Sequence, residues 1–200
     1  MFAPLTIIWR NFELFMPIMA EQTLFLKGKN KMENLDFIQE QIDNAYRKAV
    51  ELFDVAKTED DIWKALIQCN RGNRPDLLWQ AITQRPLRQD TINEMIEYVW
   101  QDNELVYQWQ DLWDEIWCNY NSSYQNKLKQ RIFKQPIKLY RAGDLNGEYQ
   151  SWSFSKEVAE FFAIRRRESK EINERYFNAK DVVAIFNSRK EKEVVIKIDC

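Results

Sequence analysis

The sequence predicts an α+β fold, with a helical N-terminal half packed on a compact, strand-rich C-terminal part. Three observations predict it. Between Leu35 and Trp117, apolar side chains recur at helical spacing. Beyond Pro136 the period changes to two, as in Ile137-Lys138-Leu139-Tyr140-Arg141. The chain has 4 glycines and no Gly-rich phosphate loop, which argues against P-loop and dinucleotide-type α/β folds.

Two hundred residues suit one domain, or a helical half tightly joined to a second half. With 45% hydrophobic and 30% charged residues, a packed core is expected rather than disorder. The reading divides the chain into an apolar extension over 1–31, an acidic helical region over 32–133 and a strand-rich region over 134–200. The first segment, MFAPLTIIWRNFELFMPIMA onward, is broken by Pro4, Arg10, Glu13 and Pro17. It falls short of the ~20 clean apolar residues of a membrane span and has no signal-peptide pattern. It is either a weakly structured extension, with Met32 as the natural start, or an amphipathic element packed on the core.

Leu35, Ile38, Ile42, Ala45, Ala49, Leu52 and Ala56 mark the first helix. Thr58 with Asp61 forms a capping-box pattern for the second, which carries Ile62, Trp63, Leu66 and Cys69 and stops at Gly72. Pro75 opens a third, which ends before Pro86 because the residue before proline is pushed out of helical geometry. Thr91 with Glu94 is expected to cap a fourth, bearing Ile92, Met95, Ile96, Val99 and Trp100. A fifth carries Leu105, Trp109, Leu112, Trp113, Ile116 and Trp117. The stripe Trp109, Trp113, Trp117 reads as core, with a ring-stacking platform as the minority alternative. Residues 121–133 are polar and read as a last helix or a loop.

In the C-terminal part, strands are expected at 137–141, 151–154 and 193–198, with a turn from Gly143 to Gly147. Lys156 to Arg166 reads as a helix whose basic end, Arg165-Arg166-Arg167, suits the negative end of the helix dipole. Residues 172–178 read as a strand. Asp181 is expected to start a short helix through Val182, Val183, Ile185 and Phe186.

There is no histidine, which excludes Ser-His-Asp and Cys-His catalysis and most catalytic zinc sites. Acid–base work must come from Glu, Asp, Lys, Tyr or Cys. Cys69, Cys118 and Cys200 form no CxxC pair, so neither a disulfide framework nor a metal site is expected, and a reducing cytoplasmic setting fits. Residues 33–130 hold 10 Lys and Arg against 18 Asp and Glu, a balance of −8; residues 131–200 hold 15 against 11, a balance of +4. The positive part suits a phosphate-bearing ligand, and the acidic half disfavours nucleic acid as a partner. The plain alternative is two halves that complement each other.

The polar residues of the C-terminal part stand in a definite order: Leu139-Tyr140-Arg141, then Ser151-Trp152-Ser153, then Glu191-Lys192-Glu193. In this order the sequence resembles the ADP-ribosyltransferase fold, in its arginine–serine–glutamate, toxin-like class. The run Phe186 to Ile196 is similar to the closing motif of small phage and bacterial members. The resemblance covers about residues 136–199. It implies NAD+ as co-substrate, no metal, and transfer of ADP-ribose to a macromolecular acceptor. That acceptor would be an arginine on a host or defence protein.

By the same resemblance, Glu193 binds the ribose hydroxyl and stabilises the positive ring of a transition state related to that of glycoside hydrolysis. Glu191 orients or deprotonates the acceptor. Arg141, next to Tyr140, holds the dinucleotide phosphates through its planar fork. Ser151 ties the strands and Arg141 together, and Ser153 assists. Two features differ from the family's pattern. Ser151 follows Arg141 by only ten positions, and Trp152 stands where Thr is usual. Trp152 and Phe154 alternate with the serines and are expected to face the core.

Each residue also has a plainer reading. Arg141 pairs with Asp144, the serines form the solvent face of a strand, and the glutamates belong to the charge run Arg189 to Glu193. The competing functions are a non-catalytic interaction or inhibitor protein that uses its acidic helical face, as a phage anti-defence factor would, and NAD+ hydrolysis without an acceptor.

Overall fold

A computed structural model describes residues 31–103, 109–143, 145, 148–166, 171–186 and 193–198. Residues 1–47 and 48–200 form two compact units. Of the first unit, the described residues begin helix α1 (Lys31–Val55), where side-chain pairs such as Gln39 to Asp43 (2.8 Å) bridge successive turns. Among the described residues, no helix is long and apolar enough to cross a membrane.

The second unit is α+β. Its further helices are α2 (Glu59–Gln68), α3 (Arg74–Gln84), α4 (Gln89–Asp102), α5 (Gln110–Cys118), α6 (Ser123–Ile132) and α7 (Lys156–Arg166). Strands β1 (Ile137–Ala142), β2 (Tyr149–Ser153), β3 (Ile172–Phe177), β4 (Val182–Phe186) and β5 (Glu193–Lys197) form one sheet in the order β3-β1-β2-β5-β4. Every neighbouring pair is antiparallel. The run of helices up to Ile132 gives way to strands from Ile137, with α7 inserted between β2 and β3, yet the helices from residue 48 onward and the sheet belong to one unit.

Local chemistry explains most boundaries. Thr58 and Asp61 form the reciprocal capping box at the start of α2. The end of α2 is closed by a side chain rather than by Gly72, which sits in the 3-10 turn Arg71–Asn73. Buried Arg74 donates from Nε to the carbonyls of Leu66 (3.0 Å) and Cys69 (2.9 Å), and from Nη2 to Ile67 (2.9 Å). It thereby satisfies carbonyls that a helix end leaves without intrahelical donors. Its charge is met by Asp102, which Arg71 also approaches at 3.2 Å.

Several expectations need correction. Helix α4 begins at Gln89, with Arg88 at the N-cap making no side-chain capping bond; its guanidinium instead donates to Glu59 (2.7 Å). Thr91 is inside the helix and buried, and its hydroxyl donates to Glu59 (2.8 Å), a partner 32 residues away. In α1, Phe53 is buried while Leu52 is exposed, so the apolar stripe is displaced from the predicted one. Trp109 precedes α5 and donates its indole N–H to the Gly72 carbonyl (2.6 Å), whereas Trp113 and Trp117 are buried on the helix. Residues 123–132 are helical, with Ser122 capping Gln125 (3.2 Å). Residues 182–186 form a strand, because Val, Ile and Phe fit the pleated surface and pair with β5.

The outer edge of β4 is occupied. The Gln125 amide both donates to and accepts from the Ile185 backbone, at 3.0 Å each way, as a neighbouring strand would. Lys129 donates to the Val182 carbonyl (3.2 Å), and burial holds its ammonium pKa below the usual value. One face of the sheet packs Leu139, Trp152, Phe177, Val194 and Ile196 against Leu128 and Phe133. Gly143, at φ 78°, turns the chain out of β1, a conformation glycine adopts at little cost.

Candidate active site on strands β1, β2 and β5

Strand β2 lies between β1 and β5, so Arg141, the two serines and Glu193 fall on adjacent strands. Across β2 and β5 the paired residues are Tyr149 with Lys197, Ser151 with Val195, and Ser153 with Glu193. Directly opposed residues share a face. Ser151, Ser153 and Glu193 therefore lie on one side, and Trp152, opposite Val194, lies on the other. Trp152 is 1% exposed and meets Phe177 edge-on at 4.8 Å. It faces the core as the alternation predicts and leaves the serine face unobstructed by its own ring. Phe154 likewise packs toward the core, beside Phe133.

Tyr140 pairs with Ser153 and shares its face. Arg141 follows it, so alternation starts its side chain on the face of Leu139. The guanidinium nevertheless reaches β2, where Nη1 donates to the Ser151 carbonyl at 2.8 Å. The link expected between Arg141 and Ser151 is thus made through the backbone oxygen, which lies in the plane of the sheet. The Ser153 hydroxyl is buried and accepts from the Ser155 backbone N–H (3.1 Å). Ser155 in turn caps α7, accepting from Val158 N–H at 3.3 Å. These contacts fix the end of β2 where it meets Glu193.

Glu193 is half-buried and opens β5. Its Oε1 accepts a hydrogen bond from the Trp100 indole N–H at 3.0 Å. Trp100 belongs to α4, 93 residues away, and sequence reasoning assigned it only to an apolar helix face. The available signal was that a buried tryptophan needs an acceptor for its N–H. Glu191, Asp144 and residues 187–192 lie outside the described residues, so the proposed partnership of Glu191 with Glu193 and the pairing of Arg141 with Asp144 do too.

Farther along the same face, Tyr149 and Lys197 both donate to Asp114 of α5, each at 2.6 Å. The two donors, Lys197 foremost, hold the Asp114 carboxyl below the usual carboxylate range. Burial and then Asp114 push the Tyr149 hydroxyl up, and Asp114 and Tyr149 raise Lys197. Among the described residues, no group of three or more His, Cys, Asp or Glu is placed to hold a metal ion. Compared with family models, with curated proteins and with solved structures, the chain matches none.

Proposed function

We propose that this chain is an ADP-ribosyltransferase that moves ADP-ribose from NAD+ to a protein acceptor, with an arginine on a host or defence protein as the favoured class. One observation carries the reading: the Arg, Ser-x-Ser and Glu elements occupy adjacent strands, with Ser153 directly opposite Glu193 and Arg141 bonded to the Ser151 carbonyl. In this reading Glu193 stabilises the ribose cation as nicotinamide leaves. Ser153 and Tyr140 lie on the same face, where they line the ribose and nicotinamide region. Arg141, held at β2 by the Ser151 carbonyl, is the residue that binds the dinucleotide phosphates. Glu191 orients the acceptor.

The test is turnover of labelled NAD+ by the purified protein in cell lysate, with Glu193→Gln as the comparison. Transfer of label to protein that falls at least a hundred-fold in the variant is expected, on the order of the loss of a transition-state electrostatic group. Full activity in Glu193→Gln would sink the mechanism.

A second reading is favoured by a specific observation. The Glu193 carboxylate and the Arg141 guanidinium each already hold a partner within the protein. On that basis the same sheet serves a non-catalytic interaction protein, with the acidic helical region as its contact surface. Failure of the wild type to consume NAD+ in any lysate favours this reading.

A further inference from the structure

We propose that Trp100 is a positioning residue for Glu193: its indole N–H fixes the carboxylate from beneath and so sets the direction in which the acid faces a bound substrate. The proposal rests on the transferase reading for its catalytic consequence and on geometry for the contact itself. Trp100 Nε1 lies 3.0 Å from Glu193 Oε1. Trp100 is 2% exposed, whereas Glu193 is only partly buried. The bond therefore ties the carboxylate to an interior donor.

The donor is itself held rigidly. Trp113 and Trp117 meet the Trp100 ring at 4.9 Å and 5.4 Å, both edge-on. Two residues farther on, Asp102 is gripped by Arg74 and Arg71, so the end of α4 that carries Trp100 is anchored. A glutamate side chain has three rotatable bonds and loses much rotamer freedom when fixed. A buried indole that donates to one oxygen removes part of that freedom before substrate arrives, which is preorganisation of a charge toward the transition state. The helical half thereby supplies a part of the site that the three strand motifs do not contain.

The experiment uses the full chain labelled with 15N at its 8 tryptophans. Trp100→Phe identifies the Trp100 indole signal by its loss. In Glu193→Ala, that signal is expected to move upfield and its N–H to exchange with solvent about ten-fold faster, as a lost hydrogen bond requires. An unchanged signal overturns the contact.

Kinetics test the role. Trp100→Phe keeps an aromatic ring but no donor, and is expected to lower kcat for NAD+ cleavage about ten-fold with KM within about two-fold, the pattern of an interaction that matters in the transition state. Trp113→Phe disturbs the same ring cluster, and the Trp113 indole N–H has no partner among the described residues. It is expected to keep kcat within about two-fold. Equal kcat in Trp100→Phe and wild type, or equal losses in the two variants, overturns the positioning role. A wild type that cleaves no NAD+ overturns the transferase reading instead, and with it any catalytic role for the contact.

Discussion

Besides the β4–β5 ladder, which is interrupted by a register shift between Val182 and Ala184, the sheet contains two unbroken ladders and one seam, and the difference between them locates the candidate site. Strands β1 and β3 pair over six residues, from Ile137 with Phe177 to Ala142 with Ile172. Strands β2 and β5 pair over five, from Tyr149 with Lys197 to Ser153 with Glu193. Between β1 and β2 the register holds at one position, Tyr140 with Ser153. Past that point backbone groups of β2 need other partners, because buried carbonyls are rarely left without a donor. Arg141 supplies one, donating to the Ser151 carbonyl. A polar side chain thus stands where a neighbouring backbone would otherwise be. The ladders are held by their own geometry, whereas the seam is held by the residues proposed to act on a ligand.

The strongest test of this comparison removes the side chain that both ladders share. Trp152 is packed with Leu139 and Phe177 from one ladder and with Val194 and Ile196 from the other. Trp152→Ala is expected to cost about 3–5 kcal/mol in urea unfolding, the range for truncating a large buried aromatic. A loss below about 1 kcal/mol would mean that the ladders do not depend on a common core.

Most of this ladder framework was legible in the sequence, because a period of two marks β1 and β2 and a short run rich in Val and Ile marks β5. Strand β4 was misread because Val182 to Phe186 is a continuous apolar run with no period; only pairing with β5 decides its state. Thr91 resembled a cap, but its hydroxyl had a distant partner in Glu59. The site was legible in its residue types and order but not in its arrangement. Placing Ser153 opposite Glu193 requires the register of β2 on β5. Trp100 was hidden for the same reason: its bond to Glu193 spans 93 residues, and no local pattern encodes that distance.

The seam itself is tested with Arg141→Ala. Loss of a charge-assisted bond on a half-buried group is expected to cost about 1 kcal/mol. Hydrogen exchange gives the sharper measurement. Amides of β1 and β2 beside the seam are expected to exchange faster, while those in the β1–β3 and β2–β5 ladders keep their protection. Arg141→Lys is expected to restore the bond only in part, since a single ammonium cannot reproduce the planar fork. Loosening of both ladders would show that Arg141 supports the whole sheet rather than the seam.

The smallest effect concerns the anchor that ties the β2–β5 ladder to α5. Asp114 accepts from Tyr149 and Lys197, and these bonds hold its carboxyl below the ordinary value of 3.8. A carboxylate with a depressed pKa stabilises the fold above its unfolded value and loses that contribution as the pH falls through the depressed one. Lys197 has the opposite sign: raised above its ordinary 10.5, it contributes below that value and loses the contribution only as the pH rises through its folded pKa. Both contributions are therefore present from about pH 5 to about pH 9. The side chains are 42% and 37% exposed, so the pair is worth less than about 1 kcal/mol. Asp114→Asn is expected to lower the urea midpoint slightly and evenly across that window. The difference from wild type should close as the pH falls below the ordinary value of 3.8 and Asp114 takes up its proton, and should shrink in about 1 M salt. A difference that widens in acid would show that Asp114 is not the group titrating, and that the ladder rests on its backbone pairing alone.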